Sequence, residues 1–231
     1  MPQPVPGGEA VSDWMAGGEE FFRRQVARAD DLTAPSLLPG WSRAHVVAHL
    51  VGNSDAFVNL LHWARTGIET PMYASEEARR ADLDRRVALP AGELLAELDT
   101  ALDRLAAAFA NLPAAAWDAH VRTRQGQVLP VTGLPWMRGR ETWIHGVDLG
   151  AGAWFDALPD PLVDALLTEL TGTLPGREGC PAVTVVPSDR DRTWALGTGS
   201  TQTVRGTAAD ILGWLLGRPS TVDGPTLPRW L

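Results

Sequence analysis

The stretch Glu93–Ala110, ELLAELDTALDRLAAAFA, places Leu94, Leu95, Leu98, Leu102, Leu105 and Phe109 at intervals of mostly three and four residues. Only an α-helix gathers such positions onto one stripe; a strand would divide them between two faces. A helix with that stripe needs partners to cover it, and the chain supplies them on both sides. Upstream, Ser42 is a good N-cap, and the apolar-rich run through Trp63 ends at Gly67, which suits a C-cap, so a helix is predicted over about Arg43 to Thr66. Before it, Val11–Ala29 carries Trp14, Phe21, Phe22 and Val26 at roughly helical spacing, preceded by a loose tail, MPQPVPGG. Downstream, Pro135 opens a further helix running to Leu149. Four long helices predict a bundle.

The segments between these helices are less regular. Ile68–Pro90 is charged and broken by prolines, with a short helix expected within SEEARRADLDRR. Pro113–Gly133 is read as one long connection, and such a loop inside a compact domain is usually a crossover or functional. After GAGAWFDALPD the texture changes. A short helix over Leu162–Leu170 precedes AVTVV, TWAL and TQTVR, which have the β-branched, alternating character of strands, and Thr207 then caps a last apolar helix, AADILGWLLGR. The predicted fold class is α+β: a four-helix bundle over residues 9–155 and a small α+β domain over residues 156–231.

The composition excludes several functions. The net charge is −8, and all 20 basic residues are arginines. An acidic surface repels phosphate backbones and anionic lipid, so neither nucleic acid nor a membrane is expected as a partner. Without lysine there is no Schiff base and no P-loop phosphate clamp. A lone cysteine, Cys180, cannot form an internal disulfide, and no leader-like start or apolar run of spanning length is seen. A cytoplasmic protein, a monomer, is expected. Ten tryptophans are many for 231 residues, and they serve either as core residues or as the lining of a site.

Chemistry concentrates on two helices. Glu141 and His145 are one turn apart on one face, and so are His45 and His49 on the helix that begins near Arg43. Each histidine is either a core side chain satisfied by a backbone carbonyl or part of a shared ion site. One histidine from the earlier helix with Glu141 and His145 would make a His2Glu set, and three nitrogen and oxygen ligands leave a coordination position open for chemistry. Asp148, close behind His145, either orients that imidazole or is a solvated helix-end residue. Trp41 and Trp143 flank these segments and could wall a pocket or simply fill the core.

The runs LPGWSRAHVVAHLVGN (38–53), RETWIHGVDLG (140–150) and ADILGWLLGR (209–218), in this order and spacing, resemble the mycothiol-dependent maleylpyruvate isomerase family, within the DinB-like group of four-helix metalloenzymes. The resemblance implies that His49, Glu141 and His145 bind zinc and that His45 is not a ligand. It also implies an external nucleophile, the sulfur of mycothiol, a thiol of actinobacteria, held deprotonated by the metal; a free thiol with a pKa of about 8.5 is mostly protonated at neutral pH. Reversible addition of that thiolate to the cis double bond of maleylpyruvate, rotation and elimination would give fumarylpyruvate.

Under the same resemblance Arg218 is a guanidinium fork for a substrate carboxylate; otherwise it caps the end of its helix. Arg79, in YASEEAR, is a candidate contact for a carboxylate or for the sugar of the thiol, or a charge on a solvated loop. The expected partners are thus a small carboxylate or electrophile and a low-molecular-weight thiol. Transfer of mycothiol to an electrophile, for detoxification or natural-product assembly, is the alternative chemistry. A non-catalytic ligand-binding protein on the same scaffold is the third reading.

Overall fold

The computed structural model describes residues 8–199 and 202–230, so the expected loose tail lies, except for its last residue, outside the described residues. The chain forms two compact units, one ending at Ala151 and the other beginning at Gly152. This division precedes the sequence-based boundary because Trp154 and Phe155 belong to the second unit. The Trp154 indole donates to Asp210 Oδ1 at 3.0 Å, and Phe155 is fully buried.

Among the described residues the first unit contains five α-helices: α1 (Gly8–Arg28), α2 (Arg43–Thr66), α3 (Glu76–Val87), α4 (Ala91–Ala110) and α5 (Leu134–Asp148). α2 starts behind Ser42, in extended conformation, and stops at Gly67, whose φ of 73° lets its N–H reach the Trp63 carbonyl at 2.8 Å. The stripe that predicted α4 is its buried face: Leu94, Leu98, Leu102 and Leu105 enter the core with Val47, Leu50, Val51, Leu60 and Leu61 of α2. α1 and α5 approach closely through glycines. A Cβ at Gly139 would lie 3.4 Å from the Met15 backbone, and one at Gly146 would lie 2.6 Å from the Phe21 ring.

α3 confirms the short helix expected within Ser75–Arg86, with Ser75 Oγ accepting from the Ala78 N–H at 3.0 Å. It is held by Arg86, which bonds Asp55 of α2 at 2.7 Å and Glu97 of α4 at 3.0 Å, and also pairs with Asp82. The connection before α5 is more structured than the sequence suggested. It forms an antiparallel hairpin, β1 (His120–Arg122) with β2 (Val128–Pro130), turning at Gly126 with φ 80°. Val121 anchors the hairpin in the core.

The second unit contains α6 (Asp160–Thr173), β3 (Val183–Pro187), β4 (Trp194–Leu196), β5 (Gln202–Gly206) and α7 (Ala208–Leu215). β3 is central, antiparallel to β4 and parallel to β5. Its alternation puts Val183 and Val185 inside, where they share the core with Leu166, Leu170, Val204, Ile211 and Leu212. Thr207 caps α7, its Oγ1 accepting from the Asp210 N–H at 3.1 Å. The fold is α+β, as the sequence predicted.

Candidate metal centre

α2 and α5 present the candidate ligands to each other. The start of α2 is tied to the end of α5 by Arg43, whose Nε and Nη2 each donate at 2.9 Å to the carbonyls of Leu149 and Gly150. Carbonyls at a helix end have no partner within the helix, so a guanidinium placed there satisfies them and fixes the two helices together. Further along α2, His49 faces Glu141 and His145 of α5.

The ligand atoms of these three residues lie within 4.8 Å of one another. His49 Nε2 donates to Glu141 Oε2 at 3.1 Å, and His145 Nε2 is 3.4 Å from the same oxygen. The imidazole rings meet edge to face at 4.8 Å. On the far side of His145, Nδ1 donates at 2.9 Å to Asp148 Oδ2, a carboxylate with no exposed surface, so the ring is fixed with Nε2 toward Glu141.

Burial and charge act against each other in this cluster. For Glu141, burial pushes the pKa up, but hydrogen bonds and charge from His145 and His49 hold it well below the usual carboxylate range. His145 is pulled down by burial, yet Asp148 and then Glu141 outweigh this and raise it to about 9. Burial dominates at His49 and lowers it, against the hydrogen bond to Glu141.

The donor set fits a divalent zinc ion. A tetrahedron with metal–ligand bonds of about 2.0–2.1 Å has edges of roughly 3.3 Å; the two distances to Glu141 Oε2, 3.1 and 3.4 Å, match that spacing, and the two imidazole nitrogens lie within 4.8 Å of each other. With both imidazoles neutral, Glu141 and Asp148 leave two negative charges that a divalent cation would balance. Imidazole and carboxylate ligands suit zinc, and three of them leave a position open.

His45 does not join the set. The Ser42 backbone N–H donates to His45 Nδ1 at 3.2 Å and the Ser42 hydroxyl lies 2.8 Å from the same atom, so this ring closes a capping box at the start of α2. Trp41 borders the centre, its ring 5.7 Å from that of His49. Trp143 faces away, stacked on Phe21 at 4.8 Å with its indole donating to the Trp14 carbonyl at 2.8 Å.

Arg79 is helical rather than on a loop, and its side chain is only 21% exposed. It pairs with Glu76 at 3.1 Å and lies 5.6 Å over the ring of Tyr73, and its charge acts on His49. Tyr73, the only tyrosine of the chain, was not singled out by sequence; burial raises its pKa, and Arg79 and Glu141 both act on its hydroxyl. Arg138 was also missed. It is fully buried on α5, one turn before Glu141. Arg218 follows α7 in the second unit, its Nη1 donating to the Leu216 carbonyl. Among the described residues no helix is long and apolar enough to cross a membrane.

Comparison with known proteins assigns the chain to a family. Residues 16–150 match the family model described as the mycothiol maleylpyruvate isomerase N-terminal domain. A crystal structure of the mycothiol-dependent maleylpyruvate isomerase is similar over 97% of both chains, at 32% identity and a TM-score of 0.91. A crystal structure of a histidine-to-alanine mutant of that isomerase matches with the same values. The curated proteins gave no significant match. The family match covers more than half of the chain and the structural match nearly all of it, so this chain belongs to the mycothiol maleylpyruvate isomerase family.

Proposed function

We propose that this protein is a zinc- and mycothiol-dependent cis–trans isomerase that converts maleylpyruvate to fumarylpyruvate. The observation that carries the reading is the convergence of His49, Glu141 and His145 on one point, with Asp148 behind His145, in a chain of this family. These three side chains would hold the ion, and the ion would keep a thiol sulfur ionised at neutral pH.

The remaining residues act on binding and orientation. Asp148 keeps His145 in the tautomer that leaves Nε2 for the centre. Trp41 covers one side of His49 with an apolar ring and limits the approach of water. Maleylpyruvate is an anion and the chain is acidic, so local positive charge has to receive it; Arg79 beside His49 and Arg218 are the arginines we assign to carboxylate or thiol contacts. Cys180 is a poor nucleophile by comparison: its Sγ faces the Pro181 carbonyl at 3.7 Å, and burial raises its pKa.

The test is turnover with the thiol limiting. Zinc-loaded protein given maleylpyruvate and about one hundredth as much mycothiol is expected to convert all of the substrate and return the thiol unchanged. Conversion that stops at one equivalent with a stable thioether would establish transfer in place of isomerisation. Full turnover without any thiol would overturn the reading altogether.

A further inference from the structure

Arg138 is the largest fully buried side chain among the described residues. Its Nη1 donates to Asn53 Oδ1 at 2.6 Å, its Nε reaches Glu19 Oε1 of α1 at 3.5 Å, and its Nη2 is buried without a hydrogen-bond partner among the described residues. Burying a guanidinium costs several kcal/mol before pairing, and an apolar side chain of similar volume would fill the space without that penalty. The arginine is therefore an unfavourable choice for packing alone. What it adds is direction, through donors fixed in a plane.

Its position gives that direction a use. Asn53 lies four residues beyond His49 on α2, and Arg138 three residues before Glu141 on α5, so each shares a face with a candidate ligand one turn away. Three cross-links then join the two antiparallel helices in order: Arg43 to Leu149 and Gly150, His49 to Glu141, and Asn53 to Arg138. The centre lies between two rungs that contain no ligand. Glu19 ties the lower rung to a third helix and offsets its charge.

We propose that the Asn53–Arg138 pair is a positioning device for the metal centre, which sets the register of α2 against α5 and holds His49 and Glu141 at ligand spacing. The inference rests on the metal-binding reading above. Because Glu19 offsets the arginine charge, loss of the rung acts through geometry more than through repulsion of a cation.

The test is metal affinity, measured by competition with a chromophoric chelator for zinc and by the visible spectrum of the cobalt(II) form. Asn53→Ala, which removes the acceptor and leaves every charge, is expected to weaken zinc binding about 10- to 100-fold and to alter the cobalt spectrum. Asn53→Asp, which keeps an acceptor toward the guanidinium, is expected to stay within about threefold of the parent, a difference under one kcal/mol. Leu105→Ala controls for lost stability, since it opens a core cavity in the same unit and should leave affinity unchanged. Parental affinity and spectrum in a folded Asn53→Ala protein would overturn the positioning role, and so would equal weakening in Leu105→Ala. A parent protein that binds no zinc would overturn the metal reading itself, and this inference with it.

Discussion

Asp148 Oδ2 accepts a hydrogen bond from His145 Nδ1 at 2.9 Å, and the carboxylate has no exposed surface. The bond fixes both the tautomer and the ring plane of a candidate ligand, and it accounts for much of the rise of the His145 pKa against the pull of burial. Asp148→Ala is expected to weaken zinc binding about 10- to 100-fold and to bring the His145 pKa down in the metal-free protein. Chelator competition and NMR titration of the imidazole measure the two effects. Unchanged affinity would mean that packing alone orients the ring.

The two histidines of α2 should behave differently. His49→Ala and Glu141→Ala are each expected to abolish stoichiometric zinc. His45→Ala should keep the metal and lose about 1 kcal/mol of stability, because it opens the capping box with Ser42. Elemental analysis and urea denaturation separate the cases. Full zinc in His49→Ala together with loss in His45→Ala would reverse the assignment.

The sequence carried the helices because their signals are local: Ser42 and Gly67 bracket α2, Thr207 opens α7, and the leucines of α4 repeat at helical spacing. The pairing of Glu141 with His145 is likewise one turn of helix. Choosing His49 over His45 was beyond spacing, which treats both alike, although Ser42 three residues before His45 was a usable sign of a capping box. β1 and β2 escaped notice because three residues each are too few to alternate, and only Gly126 marked the turn. Arg138 and Tyr73 were not legible, because the full burial of the one and the partial burial of the other are products of tertiary packing, and arginine defaults to the surface.

Close packing of α1 on α5 gives a steric prediction. In an open helix interior Gly→Ala would gain up to about 1 kcal/mol. At Gly146, however, the new methyl would sit 2.6 Å from Phe21, a buried ring stacked on Trp143. Overpacking costs about 1–3 kcal/mol, so Gly146→Ala should destabilise the fold on balance and lower Tm by a few degrees. Gly92→Ala on α4 is the contrast: a Cβ there meets nothing within 4 Å, and a small gain is expected.

Acid sensitivity should trace in part to Glu97. Hydrogen bonding to Arg85, with a further contribution from Arg86, outweighs burial and lowers its pKa. A carboxylate depressed in the folded state contributes stability that is present above its unfolded pKa of about 4.3 and is lost as pH falls through the folded value. Stability should therefore fall with acidification below that point, and Glu97→Gln should flatten this limb while lowering stability at neutral pH. Urea midpoints measured from pH 7 downward test this; an unchanged acid limb in Glu97→Gln would assign the loss to other carboxylates.

The role we assign to Arg218 can be separated from helix capping, because the end of α7 is already closed by its backbone. The Gly217 N–H donates to the Trp214 carbonyl and the Arg218 N–H to the Gly213 carbonyl, both at 2.9 Å, with Gly217 at φ 72°. This is a Schellman termination, which needs no side chain. The guanidinium adds a donor to the Leu216 carbonyl in a part-buried setting, a contribution of up to about 1 kcal/mol. Arg218→Ala should thus leave the termination of α7 and the zinc content unchanged and lower Tm by no more than a few degrees. If the side chain binds a substrate carboxylate, loss of that charge-assisted bond costs roughly 1.5–3 kcal/mol, or about one to two decades in kcat/KM. Arg218→Lys should recover little, since lysine lacks the planar fork. Full activity in an Arg218→Ala protein that melts earlier would return the residue to a capping role.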